Sequence, residues 1–331
     1  MNKTGERNSK FSEYFFNISS LGTIGIFLVL IILLTFFTAE RNFMRLDNIR
    51  NLLFFGSEFT IIVLGAGMLM IAGEFDLSVG SVLAFCSFVF IRLSAMGINP
   101  FIVTIITLIC GGVIGMINGL ITTKGRILSF IATLGTMMFW RGITVLVSGG
   151  IIMPLDTSGF KFFTSAFIGK VGNFFPSQAI WLILFAVTLG LILHRHRFGN
   201  WVFSTGDNEK AARSMAINTD KVKIICFIIV GFLVAFTAVI QTLRLGAFSS
   251  RVGTGWEFKV VAAAVVGGTS LRGGRGNMPG ILIGAFIIVI IENALVIARL
   301  PYEWTYVVFG IIILFSVILD SFIERSRKKV I

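Results

Sequence analysis

About ten apolar stretches follow one another along this chain with only short polar breaks between them. That succession constrains the fold more than any other feature. The first runs from Leu21 to Ala39, about 28 Å as a helix, which matches one bilayer core. It is too long for a signal-peptide core and lacks a small-residue cleavage pattern, so an uncleaved helix is expected. Further helices are expected near 49–72, 80–96, 99–119, 127–148, 177–193, 222–243, 259–271, 280–298 and 303–320. The segment 259–271 is short enough to dip into the membrane without spanning it. The expected organisation is a cytoplasmic tail over 1–18, an all-α integral membrane domain over 19–322 and a second cytoplasmic tail over 323–331.

Composition agrees. Of 331 residues, 56% are apolar and only 13% charged, with a mean hydropathy of +0.93. A soluble domain carries about 25% charged residues and could not cover its surface with so few. The net charge of +12 would suggest nucleic acid in a soluble protein, but the basic residues stand at the ends of apolar runs, so they report topology. With the N-terminus inside, cytoplasmic segments hold seventeen Lys and Arg, including Lys3, Arg7, Lys10 and the cluster at 325–329; outer segments hold ten, including Arg41, Arg244 and Lys259. The bias places both termini in the cytoplasm. Cys86, Cys110 and Cys226 lie far apart in apolar runs and read as small buried residues.

The largest inner segment, 194–221, reads HRHRFGNWVFSTGDNEKAARSMAINTDK. His194 and His196 have no Cys or carboxylate companion and read as interfacial basic residues. Gly206-Asp207-Asn208 reads as a turn and N-cap, with a short helix following over Glu209, Ala211, Ala212 and Arg213. Two readings stay open: a solvated surface helix, or a helix whose small face at Ala211 and Ala212 presses into another protein, with Lys210 and Arg213 pairing there.

Four motifs share one resemblance. Gly206 to Ile217 (GDNEKAARSMAI) resembles the cytoplasmic coupling segment of ribose-type ABC sugar permeases, roughly G-x-N-x-x-A-A-x-x-S-G-I, with Met215-Ala216 standing where the family commonly has Ser-Gly. Gly73 to Ser81 (GEFDLSVGS) resembles the family's G-[GE]-[IF]-D-L-S-V-G-S. Thr133 to Gly142 (TLGTMMFWRG) resembles T-L-G-T-x-x-x-x-R-G, and Val266 to Gly276 (VGGTSLRGGRG) resembles G-G-T-S-L-x-G-G-x-G. The last is glycine-rich but lacks the Gly-Lys-Ser/Thr ending of a phosphate loop, which occurs nowhere in the chain, and suits a tight irregular backbone near the cytoplasmic surface instead.

The resemblance implies a cobalamin-permease-like importer fold and a subunit that moves a monosaccharide without an ATP site of its own. It implies no bound cofactor, with ATP and Mg held by a partner ATPase subunit. That partner would dock on Asn208, Glu209, Ala211, Ala212, Arg213 and Ile217. The other implied partners are a second permease subunit and a periplasmic sugar-binding protein meeting Arg251 and Glu257, in the bacterial inner membrane and with no nucleic acid. Asp76, Ser78, Thr136, Phe139, Trp140 and Arg141 are candidates for the path or gate. From the residues alone, Asp76 and Ser78 equally suit a cap on the helix near Val79, the 136–141 group ordinary helix packing, and Arg251 with Glu257 a solvated loop. Two rival classes remain. An ion-coupled transporter would use Asp76, Glu58 or Glu292 as its carboxylate. A membrane enzyme would need a catalytic constellation that the sequence does not display.

Overall fold

The computed structural model describes residues 18–37, 43–157, 160–172, 175–301 and 303–328. The expected basic residues Lys3, Arg7, Lys10, Arg41 and Lys329 lie outside them. In chain order the elements are α1 (Ile18–Phe37), α2 (Leu46–Ile71), α3 (Val79–Ala95), α4 (Pro100–Gly125), α5 (Ser129–Ser148), β1 (Met153–Pro154), α6 (Lys161–Ile168), β2 (Lys170–Val171), β3 (Phe175–Pro176), α7 (Ser177–Arg195), α8 (Arg197–Asp207), α9 (Glu209–Ser214), α10 (Thr219–Leu245), β4 (Ala247–Phe248), α11 (Trp256–Val266), α12 (Met278–Ile297) and α13 (Glu303–Lys328). Each apolar stretch read from the sequence contains a helix, but the one expected over 259–271 ends at Val266, and positions 38 and 39 of the first lie outside the described residues. Among the described residues six of them, α2, α4, α5, α7, α10 and α12, are long and apolar enough to cross a membrane. Shorter apolar helices lie at Thr23–Phe36, Val79–Ala95 and Glu303–Phe315.

Two helices form the centre. Every residue of α2 from Gly56 to Ile71 is buried, and α10 is buried along most of its outer half. A helix apolar all round belongs inside a bundle, which is what both sequences display. The pairing of α4 with α10 is the tightest approach. Gly111, Gly115 and Gly119 lie one turn apart on α4, and a Cβ on Gly111 or Gly115 would strike the backbone carbonyl of Gly231 or Phe227 on α10. Small residues at this spacing let transmembrane backbones meet where a larger side chain would hold them apart. By contrast, α5 shows most of its surface outward, including Phe130, Met138, Phe139 and Leu146.

At the end of the bundle expected to face outward, β1 pairs antiparallel with β4 (Met153 opposite Phe248, Pro154 opposite Ala247), and β2 pairs with β3. These two-residue ladders pin the long outer segment. Its helix α6 turns Phe163 and Phe167 inward, where Phe163 meets Phe101 edge-on with centroids 5.0 Å apart and Phe167 stacks on Trp181 at 5.7 Å.

The inner loop departs from expectation. Gly206 and Asp207, read as a turn, are instead the last residues of α8, an additional helix with Phe198, Gly199, Val202 and Thr205 turned inward. His194 and His196, read as interfacial basic residues, each accept a backbone hydrogen bond. The Phe198 N–H donates to His196 Nδ1 (3.1 Å), capping α8, and the Met278 N–H donates to His194 Nε2 (3.2 Å), satisfying a free donor at the start of α12. Both side chains thus serve as caps through a ring nitrogen.

Candidate functional site

Three of the four motifs, far apart in sequence, meet at one end of the bundle. Gly206, at the end of α8, lies against the Ile71 carbonyl at the end of α2 and against the Gly274 backbone, leaving no room for a Cβ. The Gly274 N–H donates to the Ile71 carbonyl at 2.8 Å. Gly273 and Gly274 hold φ of 84° and 72°, left-handed values that glycine adopts without strain. The glycines of 267–276 therefore let three backbones touch, and α11 stops at Val266 so that the segment continues as irregular chain.

From that junction α9 projects. Asn208 caps it as the sequence predicted: its Oδ1 accepts from the Ala211 N–H at 3.0 Å. At the other end the Ala216 N–H reaches the Arg213 carbonyl (3.0 Å) and the Ile217 N–H reaches the Ala212 carbonyl (3.1 Å), while Ala216 sits at φ 60°. This is a Schellman closure with alanine at the left-handed position, so the turn forms even though glycine is missing from it. The two alanines differ. Ala211 is exposed, but Ala212 is 1% exposed and packs into this chain. They do not form one flat outward face, because adjacent helical residues point about 100° apart. Lys210, Ala211, Arg213, Ser214 and Met215 are all exposed. Arg213, expected to reach for a partner, is held within the chain by Glu209 and Asp220, each at 2.7 Å.

Glu209 is the hub of this end. Its carboxylate meets Arg213, the Thr219 hydroxyl (3.3 Å) and Lys223 (2.8 Å), and Lys223 meets Glu74 of the 73–81 motif at 2.6 Å. Burial pushes the Glu209 carboxyl up, but the Lys223 and Arg213 cations outweigh burial and hold it below its ordinary value. Lys124 joins through Asp220 at 3.0 Å. Lys223 and Glu74 carried no role in the sequence reading. Their separation along the chain hides a pairing that only the fold creates.

The 73–81 motif is the break between α2 and α3. The expected cap does not form. Ser78 is the N-cap residue of α3, yet its side chain accepts nothing from the helix. Its hydroxyl donates to Asp76 Oδ1 at 2.6 Å, and its N–H donates to the same oxygen at 2.8 Å. A buried carboxylate is the stronger acceptor and takes both donors. Asn118 of α4 completes the knot, donating to Ser78 Oγ at 2.8 Å and to the two Asp76 oxygens at 3.4 and 3.3 Å. On the other side the Phe75 N–H donates to Ser129 Oγ and the Leu77 N–H to Thr133 Oγ1, each at 3.0 Å. Broken backbone at membrane depth needs such partners. Asn118, Ser129 and Thr133 supply them, and the first two were missed because an isolated Asn or Ser in an apolar run carries no local signal.

The fourth motif lies higher on α5. Thr136 donates to its own helix at the Thr133 carbonyl (3.3 Å), Phe139 is 57% exposed, and Trp140 packs on Phe85 with centroids 4.6 Å apart. Arg141 donates to the Ser250 and Val252 carbonyls at 2.6 and 2.9 Å, so it anchors the loop before α11. That loop carries Arg251, which is exposed, and leads to Glu257, which is buried in the first turn of α11 facing Gly80. Glu257 is therefore turned away from any outer partner, because the loop folds inward onto the start of α3. Two of the acids named as coupling candidates, Glu58 and Glu292, are paired. Glu58 receives Arg244 in a two-point grip at 2.7 and 2.8 Å, and Glu292 receives Lys259 at 2.7 Å. The far-off cation in each pair is what the sequence did not show.

Against known proteins, the chain is 33% identical over 288 residues to the ribose import permease of Escherichia coli strain K12, covering 86% of this chain and 88% of that one. It is 38% identical over 299 residues to the ribose import permease of Bacillus subtilis strain 168, covering 90% and 91%. It is 30% identical over 283 residues to an autoinducer 2 import system permease of Yersinia enterocolitica, covering 85% and 77%. The family model described as branched-chain amino acid transport system / permease component matches residues 48–317. That match runs from α2 into α13 and takes in all four motifs, so the chain belongs to this family of transport permeases.

Proposed function

We propose that this multi-pass inner-membrane permease forms the translocation path of a binding-protein-dependent ABC importer for a monosaccharide or similar small polyol. The family description names amino acids, but the relatives matched over most of their length are named for ribose and autoinducer 2 import, which favours a small sugar-like cargo. A second permease subunit completes the path, and a periplasmic binding protein delivers cargo from outside. A separate ATPase subunit holds ATP and Mg and docks on α9. Both termini are then cytoplasmic and the fold is of the cobalamin-permease type. The observation that carries the reading is the meeting of the 73–81, 206–217 and 267–276 motifs at one end of the bundle, with a capped helix projecting from it. Such a junction gives an external motor a handle on the spans.

Ion-coupled transport has less support. Its coupling carboxylate must exchange ions with water, whereas Glu58 and Glu292 are ion-paired and Asp76 is buried and bonded to Ser78 and Asn118. Reconstitution of the chain in liposomes with its ATPase and binding protein tests the choice. Uptake of a radiolabelled pentose that needs internal ATP and all three proteins is the expected result. Uptake by this chain alone, driven by a proton or sodium gradient, would reverse the reading.

A further inference from the structure

Lys223 joins by charge two elements that otherwise meet only through the glycine backbone contacts at Gly206 and Gly73. Its ammonium is 2.6 Å from Glu74, in the break between α2 and α3, and 2.8 Å from Glu209, the first residue of α9. The Lys223 and Glu74 side chains are each only 11% exposed, so water screens this pair weakly and the contacts are stiff. Lys223 itself sits in the first turns of α10, one of the two central helices. Glu74 is two residues from Asp76, whose bonds to Ser78 and Asn118 shape the break and set where α3 begins. The start of α3 in turn touches the loop before α11, where Gly80 meets Gly253 and Arg141 holds the Ser250 and Val252 carbonyls.

We infer that the Glu209–Lys223–Glu74 relay is the strut that carries displacement of α9 into the α2–α3 break. Because two carboxylates share one cation, α9 cannot shift relative to α10 without loading Glu74. The break is the element able to respond, since its backbone lies outside any helical ladder and is held by side chains from α4 and α5. A purely structural ion pair would stabilise the inner end without passing motion along it. This inference rests on the reading that α9 docks an ATPase, and the two fail differently.

The test is hydrogen–deuterium exchange on the complex with its ATPase subunit in lipid nanodiscs, with and without ATP, magnesium and vanadate. In the unmodified complex, nucleotide trapping is expected to change exchange both at 208–215 and at 72–80. Lys223→Met and Glu74→Gln should keep the response at 208–215 and lose most of that at 72–80, and Lys223→Arg should restore it. Glu74→Gln leaves the Lys223–Glu209 contact intact and so covers the case in which Lys223→Met does not fold. Survival of the 72–80 response in Glu74→Gln overturns the strut, as does an unmodified complex that responds only at 208–215. If 208–215 itself fails to respond in the unmodified complex, the docking of an ATPase on α9 falls, and the strut with it.

Discussion

Two neighbouring alanines separate packing from docking. Ala212 is buried in this chain while Ala211 faces outward on a helix of six residues. A carboxylate at 212 would be forced among this chain's own atoms, and an unpaired buried charge is costly enough to undo the loop. Ala212→Glu is therefore expected to lower the yield of monodisperse protein in detergent. Ala211→Glu should leave yield unchanged and reduce co-purification of the ATPase subunit by roughly an order of magnitude, the loss of about 1.4 kcal/mol of binding. Full retention of the ATPase by Ala211→Glu would move the docking surface elsewhere. Glu209 supplies a second prediction at this scale. Its folded value is depressed below the ordinary 4.5, so its contribution is present above that pH and is lost as pH falls through the lower folded value. A fluorescent label at Lys210→Cys, titrated downward from neutral pH, should report loosening of α9 with a midpoint below 4.5. The Glu209→Gln background should lack that step.

Between elements, the helices are joined by two means that serve different purposes. The α4–α10 seam relies on missing side chains: Gly111, Gly115 and Gly231 leave backbone against backbone. Lipid removes the hydrophobic drive for helices to associate, so close packing carries more of the load. Gly115→Val should destabilise by about 1–3 kcal/mol or more through overpacking, read as a lowered thermal midpoint in detergent. The α2–α10 contact adds charge instead. Glu58 is 1% exposed, and Arg244 grips both its oxygens while lying over the Phe55 ring at 4.2 Å. Arg244→Met leaves that carboxylate buried without its cation, a change expected to cost about 3–5 kcal/mol. Glu58→Gln combined with Arg244→Met should recover part of the loss, and equal instability of the double variant would show that the pair itself holds the helices together. Arg244 and Lys259 had been counted among outer basic residues. Both are instead committed to acids inside the bundle, so they say little about which side faces the cytoplasm.

At the scale of the whole molecule, the chain is a permease built around α2 and α10, with one end gathered into a junction of three motifs and the other pinned by short ladders. The broken segments at 73–78, 249–255 and 267–277 all lie against protein rather than forming separate loops. Irregular backbone survives at such depth only where side chains or other backbone satisfy it. The largely outward surface of α5 carries Phe139 and the exposed edge of a motif whose other side packs on α3. That arrangement is what a path shared with a second subunit would require.

The positions of the membrane helices were written in the sequence because bilayer thickness sets their length and lipid sets their composition, and neither depends on distant residues. The cap at Asn208 was legible for the same reason: an N-cap bond spans only three residues. Tertiary structure decided the rest. The partners of Glu58, Glu74 and Glu292 lie 186, 149 and 33 positions away in the chain, taken as the differences 244 − 58, 223 − 74 and 292 − 259, and no local pattern announces them. Which alanine faces outward, why Ser78 donates instead of capping, and how Glu257 comes to face Gly80 follow from helices meeting in three dimensions. Hydropathy registers the solvent around each segment, whereas charge pairing and close backbone contact depend on which segments become neighbours.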